Sequence, residues 1–421
     1  MQRLVISALI AAGAAFANAA AANAQSSPAP SASPSAAPAA PAASPPAAAS
    51  PSPSPTPFKL ITISGSGDAG ITAVGGTNAA RFTNGNPSRI FDAGTGPFFD
   101  ANGGRLLAPA NDFNNAFDLQ NANLQLLLNG SVVSAKFEGS FGTDADVIAS
   151  NGQSRSGLNL TQGYLQFVGG PLTMVVGKFS TLAGAEVIEA PGNSNYSRSY
   201  LFGEAIPFTH TGVRATYAYN SKVSLVAGVN NGWDDWKFAG KKKTLEGALL
   251  LTPSPGYALT LDTYNGSDFA LNGNSATSTP PFFSNRMLYD GVLTLHPTSA
   301  LTLIANYDNG TQLSNAAGSL PTQHWNGIAG YANYQLTPRY AVSLRKETFH
   351  DVTGFRTGII QRLQSNTATL NFTPGSNYIF RLEYRLDTSD GPNFAYTGFD
   401  PAVGGRNHQN SIGFETVVKF P

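Results

Sequence analysis

An apolar-alternating run, a tight turn and a second alternating run recur seven times along this chain. The turns include Asn129-Gly130-Ser131, Gly169-Gly170-Pro171, Asn220-Ser221-Lys222 and Thr337-Pro338-Arg339. Each joins strand-like runs of roughly ten residues, the length that crosses a bilayer at a tilt. Longer, polar, Gly/Asn-rich stretches separate one hairpin from the next. Short turns at one end and long loops at the other fit a transmembrane β-barrel, which leaves no open strand edge in lipid. Candidate strands fall at 58–72, 117–128, 132–141, 158–168, 172–179, 211–219, 223–233 and 244–252, then at 257–265, 287–296, 301–308, 327–336, 340–349, 365–373, 378–387 and 409–420. About sixteen is an even number, so both termini fall on the turn side, which is periplasmic in such barrels. The expected fold is all-β: an antiparallel up-and-down transmembrane barrel.

The alternation assigns the two faces. On 378–387, Tyr378, Phe380, Leu382, Tyr384 and Leu386 share one side, while Arg381, Glu383, Arg385 and Asp387 share the other. Successive strand residues point to opposite faces. A lysine or arginine on the lipid face costs about 2–4 kcal/mol near the midplane. The aromatic side therefore meets lipid and the charged side meets the lumen. Arg345 and Glu347 stand likewise against Tyr340, Val342 and Leu344, and Lys136 and Glu138 against Val133, Ala135 and Phe137. These charged residues, with Arg214, are the expected pore lining. Tyr217, Tyr219, Tyr257, Tyr334, Tyr340 and Tyr378 gather beside the turns as an aromatic girdle, with Trp233 outward at the opposite end. A soluble β-sandwich or β-helix would not combine this strand length, this asymmetry and a lipid-like face.

Charged residues make up only 12% of the chain, about half the share of a soluble domain. No apolar run of 18 or more residues follows the N-terminus, so no helical span is expected. Residues 1–24 read as a secretory leader: Arg3, an apolar stretch over 4–17, and the small-residue site Ala22-Asn23-Ala24 before Gln25. A second candidate cleavage site is Ala17-Asn18-Ala19. Residues 25–57 contain only Ala, Ser, Pro, Gln and Thr, too little apolar surface to fold, and read as a disordered periplasmic linker. The barrel then occupies 58–421. Cysteine is absent and the net charge is zero, so neither thiolate chemistry nor a polyanionic partner such as nucleic acid is indicated.

The most distinctive stretch spans 158–249: LNLTQGYLQF, GKFSTLAGAEVIEAPGNSNYSRSYLFGEAIPFTHTGVRATYAY, SLVAGVNNGWDDWKF and KTLEGAL. It resembles the OmpL-like β-barrel porin family. The resemblance implies a bacterial outer-membrane barrel that passes small solutes, and supplies no substrate. The last strand closes Ile412, Phe414, Thr416, Val418 and Phe420 on one face, similar to the terminal signal read by the barrel-insertion machinery. Pro421 departs from that pattern.

Residues 180–207 form a long connection with too many apolar groups, among them Tyr196, Tyr200, Leu201 and Phe202, for a free loop. Folded into the lumen, it would place Glu186, Glu189, Arg198 and Glu204 across the pore from Lys136, Arg214, Arg345, Arg381 and Arg385. Opposed charge would then create a transverse field. Folded outward, it would cap the barrel. Asp234 and Asp235 could help hold Ca²⁺, but the EF-hand spacing is absent, and a polar loop with aromatic anchors is the simpler reading. The five histidines, of which only His210 falls in the distinctive stretch, define no catalytic pattern. No nucleotide loop, zinc spacing or HExxH occurs, so neither enzyme nor cofactor nor metal is expected. The expected role is a porin for passive diffusion of small hydrophilic solutes or ions, embedded in outer-membrane lipid and compatible with a homo-oligomer. The rival is a structural or adhesive barrel, with the polar stretch 73–112 as its surface.

Overall fold

A computed structural model describes residues 61–75, 117–130, 132–150, 153, 157–237, 243–269, 283–313, 321–357, 360–390 and 407–420. The expected leader, the expected linker and most of the 73–112 stretch lie outside these residues.

Sixteen antiparallel strands, each hydrogen-bonded to its sequence neighbours, close into one barrel. They are β1 (Ile61–Gly75), β2 (Phe117–Leu128), β3 (Val133–Phe141), β4 (Leu158–Gly169), β5 (Leu172–Ser180), β6 (Thr209–Asn220), β7 (Val223–Asn230) and β8 (Thr244–Ser254). Then follow β9 (Tyr257–Phe269), β10 (Phe283–Thr298), β11 (Leu301–Gln312), β12 (Gln323–Thr337), β13 (Tyr340–Asp351), β14 (Gln361–Gly375), β15 (Tyr378–Ser389) and β16 (His408–Phe420). The seam pairs β1 with β16, with Ala69 opposite Thr416. Most strands run a few residues further toward the loops than the alternation alone defines. β7 alone falls short, stopping at Asn230, because Gly232 (φ 138°) and Asp234 (φ 51°) turn the chain away.

The faces follow the alternation. Leu382, Tyr384 and Phe414 are exposed on the outside, whereas Arg345, Arg381 and Arg385 are at most 2% exposed inside. Tyr340, Phe372 and Phe380 stack across three strands at centroid distances of 4.8 and 6.0 Å, marking the turn-side belt. Tyr217, Tyr219, Tyr334 and Tyr378 are exposed in the same belt, with Tyr257 partly so. Trp233 corrects the expectation: it is 4% exposed and sits inside, edge-on to Trp325 at 5.9 Å. Its outward parity was extrapolated along a strand that has already ended.

The loop-side half of the lumen holds an apolar core. The wall contributes Tyr264, Leu288, Trp325, Phe349 and Leu363. Val147 and Ile148 enter from a short helix, α1 (Thr143–Val147), which the sequence reading did not anticipate. Leu201, Phe202, Ile206 and Phe208 complete it from the segment between β5 and β6. Burying such side chains stabilises by about 1.5–3 kcal/mol each.

Candidate functional site

The segment 181–208 joins β5 to β6. Its course is fixed by groups on the inward faces of the strands. The Tyr264 hydroxyl accepts from Leu182 N at 3.1 Å, and Asn306 Oδ1 on β11 accepts from Ala185 N at 3.2 Å. Ala190, in a 3₁₀ turn over Ala190–Gly192, packs on Ile379 and Val417. Asn195 Nδ2 donates to Thr369 Oγ1 at 2.7 Å. The Tyr196 hydroxyl lies 2.8 Å from Thr72 Oγ1 on β1 and accepts from Gln120 on β2. Trp325 Nε1 donates to the Ala205 carbonyl at 3.1 Å. Walls on several sides of the barrel thus hold one segment.

Charge does most of the holding on β13–β16. Arg345 Nη1 bonds Glu186 Oε1 at 2.7 Å and the Ser197 carbonyl at 2.6 Å. Arg381 Nη2 reaches the carbonyls of Asn193 at 2.6 Å and Ala190 at 3.1 Å, while its Nη1 pairs with Glu415. Arg385 Nη1 donates to the Arg198 carbonyl at 2.7 Å, and its Nε pairs with Asp387 Oδ1 at 2.7 Å. Glu383 accepts from Tyr196 N at 2.7 Å and Ser197 N at 3.0 Å, and Glu347 accepts from Tyr200 N at 2.6 Å. Buried ions without such partners would cost several kcal/mol each.

The remaining sequence-selected residues divide. Lys136 pairs with Glu138 at 2.6 Å, and Arg214 with Glu246 at 2.7 Å. Glu189 lies beside Glu138, and burial together with that neighbouring carboxylate pushes its own pKa well above the usual 4.5. Arg198 turns back on its own segment, donating to the carbonyls of Val187, Ile188 and Tyr196 at 3.0–3.1 Å, instead of facing the far wall. Glu204 is buried in a π-helical turn, Leu201–Ala205, and its carbonyl accepts from Arg356 Nε. Asp234 Oδ1 accepts from the backbone N–H groups of Phe208 and Thr209 at 2.9 and 2.8 Å, fastening the end of the segment. Among the described residues no group of His, Cys, Asp and Glu has metal-holding geometry. His210 is fully buried, stacked on Tyr264 at 4.6 Å.

Sequence reasoning missed the apolar anchors Tyr264, Trp325 and Phe349. The available signal was parity: Phe349 shares the inward side with Arg345 and Glu347. It also missed a row of opposed carboxylates, Asp262, Asp290 and Asp308, aligned across β9, β10 and β11 and buried.

Solved structures of similar shape are outer-membrane channels. The channel DcaP of Acinetobacter baumannii aligns with a TM-score of 0.54 at 12% identity, over 86% of this chain and 97% of that one. The trimer form of OmpT from Vibrio cholerae gives 0.53 at 12% identity, over 86% and 99%. An anion-selective porin from Comamonas acidovorans gives 0.53 at 10% identity, over 86% and 99%. At these identities they establish the fold. No curated protein matches the sequence. A family model, "Putative beta-barrel porin-2, OmpL-like", matches residues 67–420. With a match over most of its length and a closed sixteen-stranded barrel to go with it, the chain belongs to that OmpL-like family of outer-membrane porins.

Proposed function

We propose that this porin passes small hydrophilic solutes or ions by passive diffusion, and that segment 181–208 narrows its lumen. The hydrogen bonds from Arg345, Arg381 and Arg385 to that segment carry the reading. Below it, the turn-side lumen is lined by partly exposed neutral polar groups such as Gln125, Gln166, Thr216 and Thr294, which suit hydrated solutes. The loops face the cell exterior, and both termini the periplasm, in keeping with the turn–loop asymmetry. The protein acts as a channel without catalysis, and the trimeric neighbour supports a homo-oligomer. A structural or adhesive barrel with little transport draws on one observation: the segment bonds to walls on several sides.

Deleting residues 189–200 removes the tip of the segment without touching a strand. We expect a folded barrel whose single-channel conductance in a planar bilayer rises severalfold. An unchanged conductance would show that the segment does not limit passage. A folded barrel that conducts neither with nor without the tip would favour the structural reading.

A further inference from the structure

The lipid-facing wall is interrupted on β13 and β14. Starting from the turn, the outward residues of β13 are Tyr340, Val342 and Leu344, and the next is Lys346. On β14 they are Phe372, Leu370 and Ala368, and the next is Asn366. On neighbouring β15 the apolar run continues through Leu386. Lys346 lies opposite Asn366 in the register and donates to its Oδ1 at 2.9 Å. Six residues of tilted strand put Lys346 about 15 Å above the Tyr340 belt, well inside an apolar band about 25 Å tall. It is exposed there. A bare lysine at that depth is costly, so this face calls for a counter-group.

Beside Lys346 the outer wall is hollowed. A cavity of about 680 Å³ runs along Gly330, Ala332, Leu344, Ala368 and Leu386, with Lys346 and Asn366 at one end. A Cβ built on Gly330 would meet nothing within 4 Å. From Lys346 toward the loops the wall stays polar through Thr348 and Gln364 and gains a second cation at Arg362, directly opposite His350. One carboxylate comes near, where Asp390 Oδ1 accepts from Arg362 N at 2.6 Å, just past the end of β15. Among the described strand residues that point outward there is no Asp or Glu. The strand wall of a second copy therefore brings no anion to Lys346, whereas the membrane itself does.

We propose that this hollow is a seat for a phosphorylated glycolipid of the outer leaflet. One acyl chain lies along Gly330, Ala332 and Ala368, and a phosphate meets Lys346, with Arg362 and His350 above it. The source follows from the reading that the loops face outward, since the cations lie on the loop side of the groove. Lipid and cation satisfy each other: the phosphate removes the cost of the lysine, and the hollow gives the chain a fixed place.

Native mass spectrometry of the folded barrel in mild detergent tests this, using bis-phosphorylated lipid A as probe. The wild type should retain one lipid per barrel. K346Q, which removes a charge from the apolar band and so does not threaten folding, should weaken retention at least tenfold, and dephosphorylated lipid A should bind as weakly. Lys222→Gln, in an exposed turn, should leave retention unchanged. Equal retention by K346Q would overturn the seat. Equal retention of phosphatidylglycerol would overturn the glycolipid assignment, and a dimer mass lost on K346Q in place of a lipid adduct would give the face to a second copy. Conductance of K346Q separates this from the pore reading, because the outer face lies apart from segment 181–208 and its single-channel current should match the wild type.

Discussion

Arg345 carries more partners than a pore-lining guanidinium needs: a carboxylate, two carbonyls and two hydroxyls, all within 3.4 Å. Such a residue works as a clamp, and its charge is already spoken for by Glu186. Glu189 is the converse case. Its carboxyl, buried beside Glu138, keeps its proton above the ordinary range. An unseated segment would release that proton near the usual 4.5. Because the seated form has the raised value, the seat is strongest below that pH and weakens as pH rises toward the Glu189 value. Limited proteolysis within 181–208 should therefore increase from pH 5 to 8 in the wild type and stay flat in Glu189→Gln. Equal pH dependence in both would mean that Glu189 does not hold the proton.

At the scale of the strand, alternation is the organising rule, and its strength can be measured. Leu382 is 51% exposed to lipid, between the buried Arg381 and Glu383. Leu382→Arg should destabilise the barrel by about 2 kcal/mol or more, read as a lowered urea midpoint in vesicles. An unmoved midpoint would put Leu382 outside the apolar band. The same rule explains what was legible. Strands were readable because a charged ladder beside an aromatic one admits a single register, as on β15. The interior was less readable. Phe349 and Leu363 are apolar residues on the charged side, and alternation alone does not say that a segment from elsewhere will cover them. The orientation of Arg198 is hidden for a related reason: it bonds carbonyls of an irregular turn, which residue spacing does not reveal. The helix α1 is five residues long, too short for a helical repeat to register.

For the molecule as a whole, orientation is the first quantity to measure. Epitopes inserted between Phe269 and Phe283, or between Leu313 and Pro321, should be labelled on intact cells. Epitopes at Ser254 or Pro338, in the tight turns, should be labelled only after permeabilisation, and the reverse pattern would invert the barrel. The position of Tyr196 adds a consequence in time. Its hydroxyl reaches Thr72 on β1, while a Cβ at Gly413 on β16 would come within 2.5 Å of its ring. These are the first and last strands of the barrel, and their pairing completes the circle. Until they meet, the ring lacks one side of its socket. Once they have met, it is enclosed. Full enclosure of this one tyrosine thus requires that the barrel has closed, so the state of its ring reports closure of the seam.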